Sequence, residues 1–205
     1  KEPGFVMLLA LIAGASILIG NLLAISQTSL KRLLAYSSIA HFGYLMAALT
    51  LVGEHGSRSV WVYLVTYVIA SLSAFAALSS LSRIGDDSNG DSLDALRGLY
   101  QRNPVLAVAL ALSLLSMAGI PLTAGFIGKF ALFASGVASA QWVLLILVVA
   151  GSAIGIYYYL RAVSVLFQRT AATTAIVPVP ALNSILIAAL TFLTLLIGIW
   201  PGLII

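Results

Sequence analysis

The sequence predicts an all-α polytopic membrane protein, a helical bundle of about six transmembrane spans, one of them a discontinuous (broken) helix. Three observations predict it. Hydrophobic residues make up 61% of the 205, and mean hydropathy is +1.12. Ten basic and six acidic residues amount to 8% charged, against about 25% in a soluble domain, too few to clothe a surface facing water. The apolar residues come in runs of about 20, the length a helix needs to cross roughly 30 Å of hydrocarbon. No segment shows the ten-residue alternation of a membrane barrel.

In chain order the spans fall at 5–26, 32–53, 59–82, 104–138, 141–168 and 181–201, within one membrane domain over 1–205. Residues 85–103 make a polar connection. Within it Leu93, Leu96, Leu99 and Tyr100 share a helical face. A short interfacial helix over 92–100 is expected there, capped by Asp91 or Ser92. The fourth span sets the topology. A straight helix over 104–138 would be about 52 Å long, too long for a bilayer even when tilted. Gly119, Pro121 and Gly125 interrupt it. Proline lacks a backbone donor and clashes with the preceding turn, so the run reads as one crossing broken near 119–123. Unwound backbone at membrane depth is tolerated only inside protein or beside a hydrated cavity, and such breaks mark ion sites in transporters.

Charge placement supports six crossings. Lys31, Arg32, Arg83, Arg97, Arg102 and Arg169 follow the first, third and fifth spans, with Arg161 close by, while Lys1 and Arg58 lie opposite. The positive-inside bias makes the first group, and the 85–103 connection, cytoplasmic. Both ends then face outward. The chain starts at Lys1 with no signal-peptide pattern and is expected to be a piece of a longer protein.

Composition also excludes chemistry. Without cysteine there are no disulfides, thiolate–metal sites or thiol nucleophiles. His41 and His55 are too few and too far apart for a haem or zinc site. A net charge of +4, spread singly at the ends of apolar runs, does not indicate nucleic acid. No catalytic triad or dinucleotide fingerprint is present. Gly128-Lys129 is not a phosphate loop, because Thr123 and Phe130 stand where that motif needs Gly and Ser or Thr.

Lys129 is the outlier. It lies about 15 Å from the outer end of its span, near mid-membrane, where a lysine costs roughly 3 kcal/mol on insertion scales. It is read either as a pairing device for assembly or as a protonatable site on an ion pathway. All six acidic residues lie in tails or connections, so its partner comes from another segment or chain, or from water and backbone. On the second span Ser37, His41 and Tyr44 form one stripe at i, i+4 and i+7. Histidine there is a proton relay or interhelical glue. Lys31 is a topology anchor or a cytoplasmic proton entrance. Tyr157, Tyr158 and Tyr159 fit an interfacial aromatic belt, or Tyr158 points inward to a water chain. Thr66, Ser71 and Ser73 add polarity to the third span. Gly151 and Gly155 suggest a close packing face. Trp142 and Trp200 suggest interface anchors.

Three strings carry a resemblance: TSLKRLLAYSSIAHFGYLMAAL (Thr28 to Leu49), SMAGIPLTAGFIGKFALF (Ser116 to Phe133) and GIYYYLRAV (Gly155 to Val163). Together they resemble the antiporter-like membrane subunits of proton-pumping NADH:quinone oxidoreductase, respiratory complex I. The resemblance covers essentially the whole chain. Lys129 followed by Phe130, with YYYLR, favours the branch carrying lysine in the broken helix over the sister branch carrying glutamate. The resemblance implies a fold of about fourteen spans in two inverted repeats, of which this chain would be the second repeat plus the last helix. It implies that Lys129 is the proton site linked to the outward half-channel and that His41 lies on the central polar axis. Lys31 and Tyr158 are implicated more weakly. The family's glutamate in helix five and lysines in helices seven and eight fall outside these 205 residues. No cofactor is expected on this chain. FMN, iron–sulfur clusters and quinone would belong to partner subunits. Expected partners are neighbouring antiporter-like and other membrane subunits, the N-terminal half of the same protein and the lipid bilayer, with no nucleic acid. The expected location is a bacterial cytoplasmic (inner) membrane.

Three other readings share these motifs: a subunit of a multi-subunit cation/proton antiporter, a membrane subunit of an energy-converting hydrogenase, and a non-conducting scaffold. Sodium sites gather oxygens around the ion. The spans offer only hydroxyls and carbonyls, which favours protons.

Overall fold

The computed structural model describes residues 3–51, 54–82, 91–169 and 180–204. Lys1, Arg83, residues 52–53 at the end of the second span and residues 85–90 of the polar connection lie outside them, as does the side chain of His55.

Among the described residues the chain is helical, without a strand. The helices are α1 (Pro3–Ile25), α2 (Leu30–Thr50), α3 (Glu54–Ser82), α4 (Leu99–Arg102), α5 (Pro104–Ala118), α6 (Ala124–Ala138), α7 (Trp142–Phe167) and α8 (Ala181–Ile199). A 3₁₀ turn over Pro201–Leu203 follows. Five helices are long and apolar enough to cross a membrane: α1, α2, α3, α7 and α8. At 15 residues each, α5 and α6 are about 22 Å long, too short to cross singly. Both pack on α3, α7 and α8, most extensively α6 on α3 and α5 on α7. They share one set of neighbours at different heights, as the two halves of one interrupted crossing do.

Local chemistry sets the helix starts. The Ser29 side chain accepts from the Arg32 N–H and caps α2. Asn103 accepts from the Leu106 N–H at 3.0 Å, with Pro104 in the first turn of α5. The most extensive packing joins α1 to α2. A Cβ at Gly20 would stand 2.6 Å from the Ala40 nitrogen, and one at Gly43 would stand 2.8 Å from the Ile17 nitrogen. Glycine at both crossings lets the backbones meet, as small residues do in membrane bundles.

The 92–100 segment differs from expectation. Residues 93–98 form turns, and helix is confined to Leu99–Arg102. Two constraints explain this. Leu93 N–H donates to the Thr28 carbonyl, and Leu30 N–H donates to the Asp91 carbonyl, both at 2.8 Å, tying the segment to the α1–α2 turn. Gly98 then takes a left-handed conformation (φ 71°) that ends any regular run. Ser92 does cap, accepting from Ala95 N–H at 3.1 Å. Leu93, Leu96 and Leu99 are buried, whereas Tyr100 is exposed.

Candidate functional site

The break between α5 and α6 builds the first half of the site. Helix α5 closes on Gly119 in the left-handed region (φ 84°), with its N–H donating to the Leu115 and Ser116 carbonyls. Leu122 also has positive φ (71°), a conformation costing a non-glycine residue roughly 1–2 kcal/mol. The start of α6 then meets the last turn of α5. The Gly125 N–H donates to Ser116 Oγ at 3.0 Å, and a Cβ on Gly125 would overlap the Ser116 carbonyl. One turn on, the Lys129 side chain runs back along the break. Its stem passes where a Gly119 Cβ would be, 2.7 Å from Lys129 Cδ.

Lys129 Nζ donates to the Ala118 carbonyl and to Ser152 Oγ on α7, both at 2.9 Å, and lies 5.5 Å from the centroid of the Tyr44 ring. Among the described residues no carboxylate faces it; the salt bridge found is Arg97–Asp94, in the connection. The Ala118 carbonyl is the last of α5, where the helix dipole concentrates partial negative charge. A helix end, a hydroxyl and an aromatic face together take the place of a counter-ion. Of the residues expected to break the helix, Gly119 and Gly125 shape this pocket, while Pro121 is exposed in the turn.

His41 occupies the second half. It is buried in α2, with Nδ1 2.8 Å from the Tyr63 hydroxyl and Nε2 3.3 Å from the Tyr159 hydroxyl. Its ring stacks on Tyr67 at 4.6 Å and meets Tyr44 edge-on at 5.8 Å. Tyr67 in turn donates to Ser38 at 2.9 Å. Between His41 and Lys129 lies a cavity of about 10 Å³, bordered by Tyr63, Thr66, Tyr67 and Ser116. That is about the room one water needs.

A third cluster joins α1, α2 and α7. Buried Asn21 donates to the Tyr44 hydroxyl at 3.2 Å and accepts from the Tyr158 hydroxyl at 2.9 Å. Ser37 is buried and donates to the Leu34 carbonyl at 2.8 Å. The aromatic-belt reading of Tyr157–Tyr159 needs correction: only Tyr157 is exposed, whereas Tyr158 and Tyr159 are 1% exposed and pack together inside. Side chains advance about 100° per residue, so three consecutive tyrosines cannot share one face. Lys31 is not brought to the cluster. It is exposed in the first turn of α2, about 15 Å of helix rise from His41.

Sequence reasoning missed Asn21, Tyr63, Tyr67, Ser116, Ser152 and Tyr159. A usable signal existed for one of them. Asn21 is the only amide inside the first span, and a polar side chain at that depth needs a partner in protein. Among the described residues no group of three or more potential metal ligands occurs.

A family described as the NADH:quinone oxidoreductase/Mrp antiporter transmembrane family matches residues 2–155. NADH-quinone oxidoreductase subunit N of Methylococcus capsulatus is 47% identical over 98% of this chain and 41% of its own length. Subunit N of Ectopseudomonas mendocina is 53% identical over 79% of this chain and 33% of its own length. The chain thus spans about two fifths or less of the curated relatives it matches. Among solved structures, a chain of respiratory complex I from Thermus thermophilus aligns with TM-score 0.83 and 39% identity, over 97% of this chain and 44% of that one. A chain of the Mrp complex from a Dietzia species has the same fold, with TM-score 0.85 at 20% identity over 97% of this chain and 45% of that one.

Proposed function

Because the chain belongs to the NADH:quinone oxidoreductase/Mrp antiporter transmembrane family, we propose that it forms the part of a complex I membrane subunit that moves protons through a site centred on Lys129. Relatives named subunit N support the choice of complex. NADH oxidation, with FMN and iron–sulfur clusters, and quinone reduction would take place on partner subunits of a bacterial inner-membrane complex.

One observation carries the reading. The Lys129 ammonium donates at a helix break to a carbonyl and a hydroxyl, with no carboxylate facing it among the described residues, and a water-sized cavity lies between it and His41. An amine without a fixed anion changes charge without stranding a buried counter-charge. His41 can accept at one ring nitrogen and donate at the other, with Tyr63 and Tyr159 orienting it. Tyr44 steadies the charged form through its ring face. Ser37 is buried one turn before His41 on α2, its hydroxyl donating to the Leu34 carbonyl. Lys31, exposed at the start of α2, acts in this proposal as a cytoplasmic anchor. Driving one charge against 100 mV takes about 2.3 kcal/mol, so energy released in partner subunits must reach this site.

The test is Lys129→Ala in the full-length subunit of the assembled complex. Proton pumping, NADH oxidation and assembly are followed in parallel. Pumping should fall sharply while the complex persists. A normal proton-to-electron ratio would overturn the proposal. Poor assembly, with the surviving complex fully coupled, would favour a scaffold. The Mrp-like fold keeps one alternative in view: sodium-dependent transport in the same preparation would favour a cation/proton antiporter subunit.

A further inference from the structure

The hydrogen bonds of Asn21 have a direction. Its nitrogen lies 2.7 Å from the Ile17 carbonyl, which can only accept. The amide is therefore pinned with its NH₂ toward Ile17 and Tyr44 and its oxygen toward Tyr158. Both donors are used. Tyr158 must donate its hydroxyl hydrogen to Asn21, and the Tyr44 oxygen must accept from it. Two glycines make room for the arrangement. A Cβ on Gly151 would stand 2.7 Å from the Tyr44 hydroxyl and 2.9 Å from the Asn21 nitrogen, and one on Gly155 would stand 3.6 Å from the Asn21 oxygen.

This places an amide between the Tyr44 and Tyr158 hydroxyls, whose rings reach toward the two halves of the site. On one side the Tyr44 ring face lies 5.5 Å from Lys129 Nζ. On the other Tyr158 packs on Tyr159, whose hydroxyl meets His41. Hydroxyls and imidazoles pass protons by accepting one and releasing another. A neutral amide held by three bonds has no exchangeable proton to release without breaking its own donor set. Beyond Asn21, toward the α1–α2 turn, come Ala24, Leu30, Leu34, Ala162 and Leu166, all buried and apolar.

We infer that Asn21 is an insulating positioning residue, which fixes Tyr44 and Tyr158 in place while barring proton transfer between them. Exchange between Lys129 and His41 is thereby confined to the small cavity beside Thr66 and Ser116. The inference rests on the reading of Lys129 as a proton site.

The experiment replaces the amide with an isosteric acid while closing the cavity, in the full-length subunit of the assembled complex. Ala70 lines the cavity, and Ala70→Val fills it without removing a polar group. Ala70→Val alone should lower the proton-to-electron ratio. Adding Asn21→Asp, which supplies a protonatable group between Tyr44 and Tyr158, should restore much of the loss. Adding Asn21→Leu should restore none. Should Asn21→Asp fail to assemble, Asn21→Glu provides the acid. A merely structural role predicts equal behaviour of the acid and leucine variants, and that result would overturn the inference. So would normal pumping by Ala70→Val. Lys129→Ala separates the two failures: normal pumping in that variant sinks the proton-site reading itself. Lost pumping there, with no split between the acid and leucine variants, sinks only the insulator.

Discussion

Helices α2 and α8 are built on opposite terms. Helix α2 has the lowest mean hydropathy of the five long helices, 1.3, and the largest buried share of its span, 61%. Helix α8 has a mean hydropathy of 2.3 and a buried share of 17%. A water-soluble protein would reverse this, because its apolar faces turn inward. In lipid the outer surface is apolar at no cost, and polar side chains must find partners within the protein. Helix α2 therefore sits inside and carries His41, Tyr44 and Ser37. Helix α8 presents Leu182, Ile185 and Phe192 outward, and among the described residues its polar ties are few, such as Asn183 to Ser80 at 3.3 Å.

The contrast can be broken experimentally, starting with the frame of the polar interior. Gly125→Leu forces a side chain into the Ser116 carbonyl. Overpacking typically costs about 1–3 kcal/mol, and a rigid backbone neighbour raises that, so immunoblots of membranes should show the subunit largely lost. His41→Leu comes next. It strands the hydroxyl of Tyr63, at about 1–3 kcal/mol for a buried group left unsatisfied, and removes one partner of the Tyr159 hydroxyl. Thermal unfolding of the purified complex should shift down, and pumping should fall with it. Tyr67→Phe removes a single bond to Ser38, worth about 1 kcal/mol, and should lower stability slightly while leaving the complex assembled. Leu182→Val on α8 should change stability by less than about 0.5 kcal/mol. A large effect there would mean that the outer face of α8 is covered by the rest of the protein, and the contrast with α2 would need redrawing.

The helical membrane class was legible because it rests on composition and run length, which need no knowledge of neighbours. The family was legible from three contiguous strings. What the sequence hid was orientation around each helix axis. Tyr158 and Tyr159 are adjacent and both buried, while Tyr157 is exposed; the positions of α1, α2 and α5 against α7 decide that. The amide of Asn21 signals a need for a partner but not which one, because its side-chain partners lie 23 and 137 residues away. The 92–100 segment reads as helix because its leucine spacing is correct, but Leu93 N–H is drawn to the Thr28 carbonyl and Gly98 N–H to the Val165 carbonyl, which leaves only isolated turns between them.

The partner that α5 offers Lys129 belongs to the main chain. Every amino acid carries the same carbonyl, so no point substitution at position 118 deletes it, and no acid titrates it away. Such a contact is erased only by moving the break. Selection can thus alter the surrounding side chains freely, retuning the site, while the anchor that receives the amine is inherited with the fold itself.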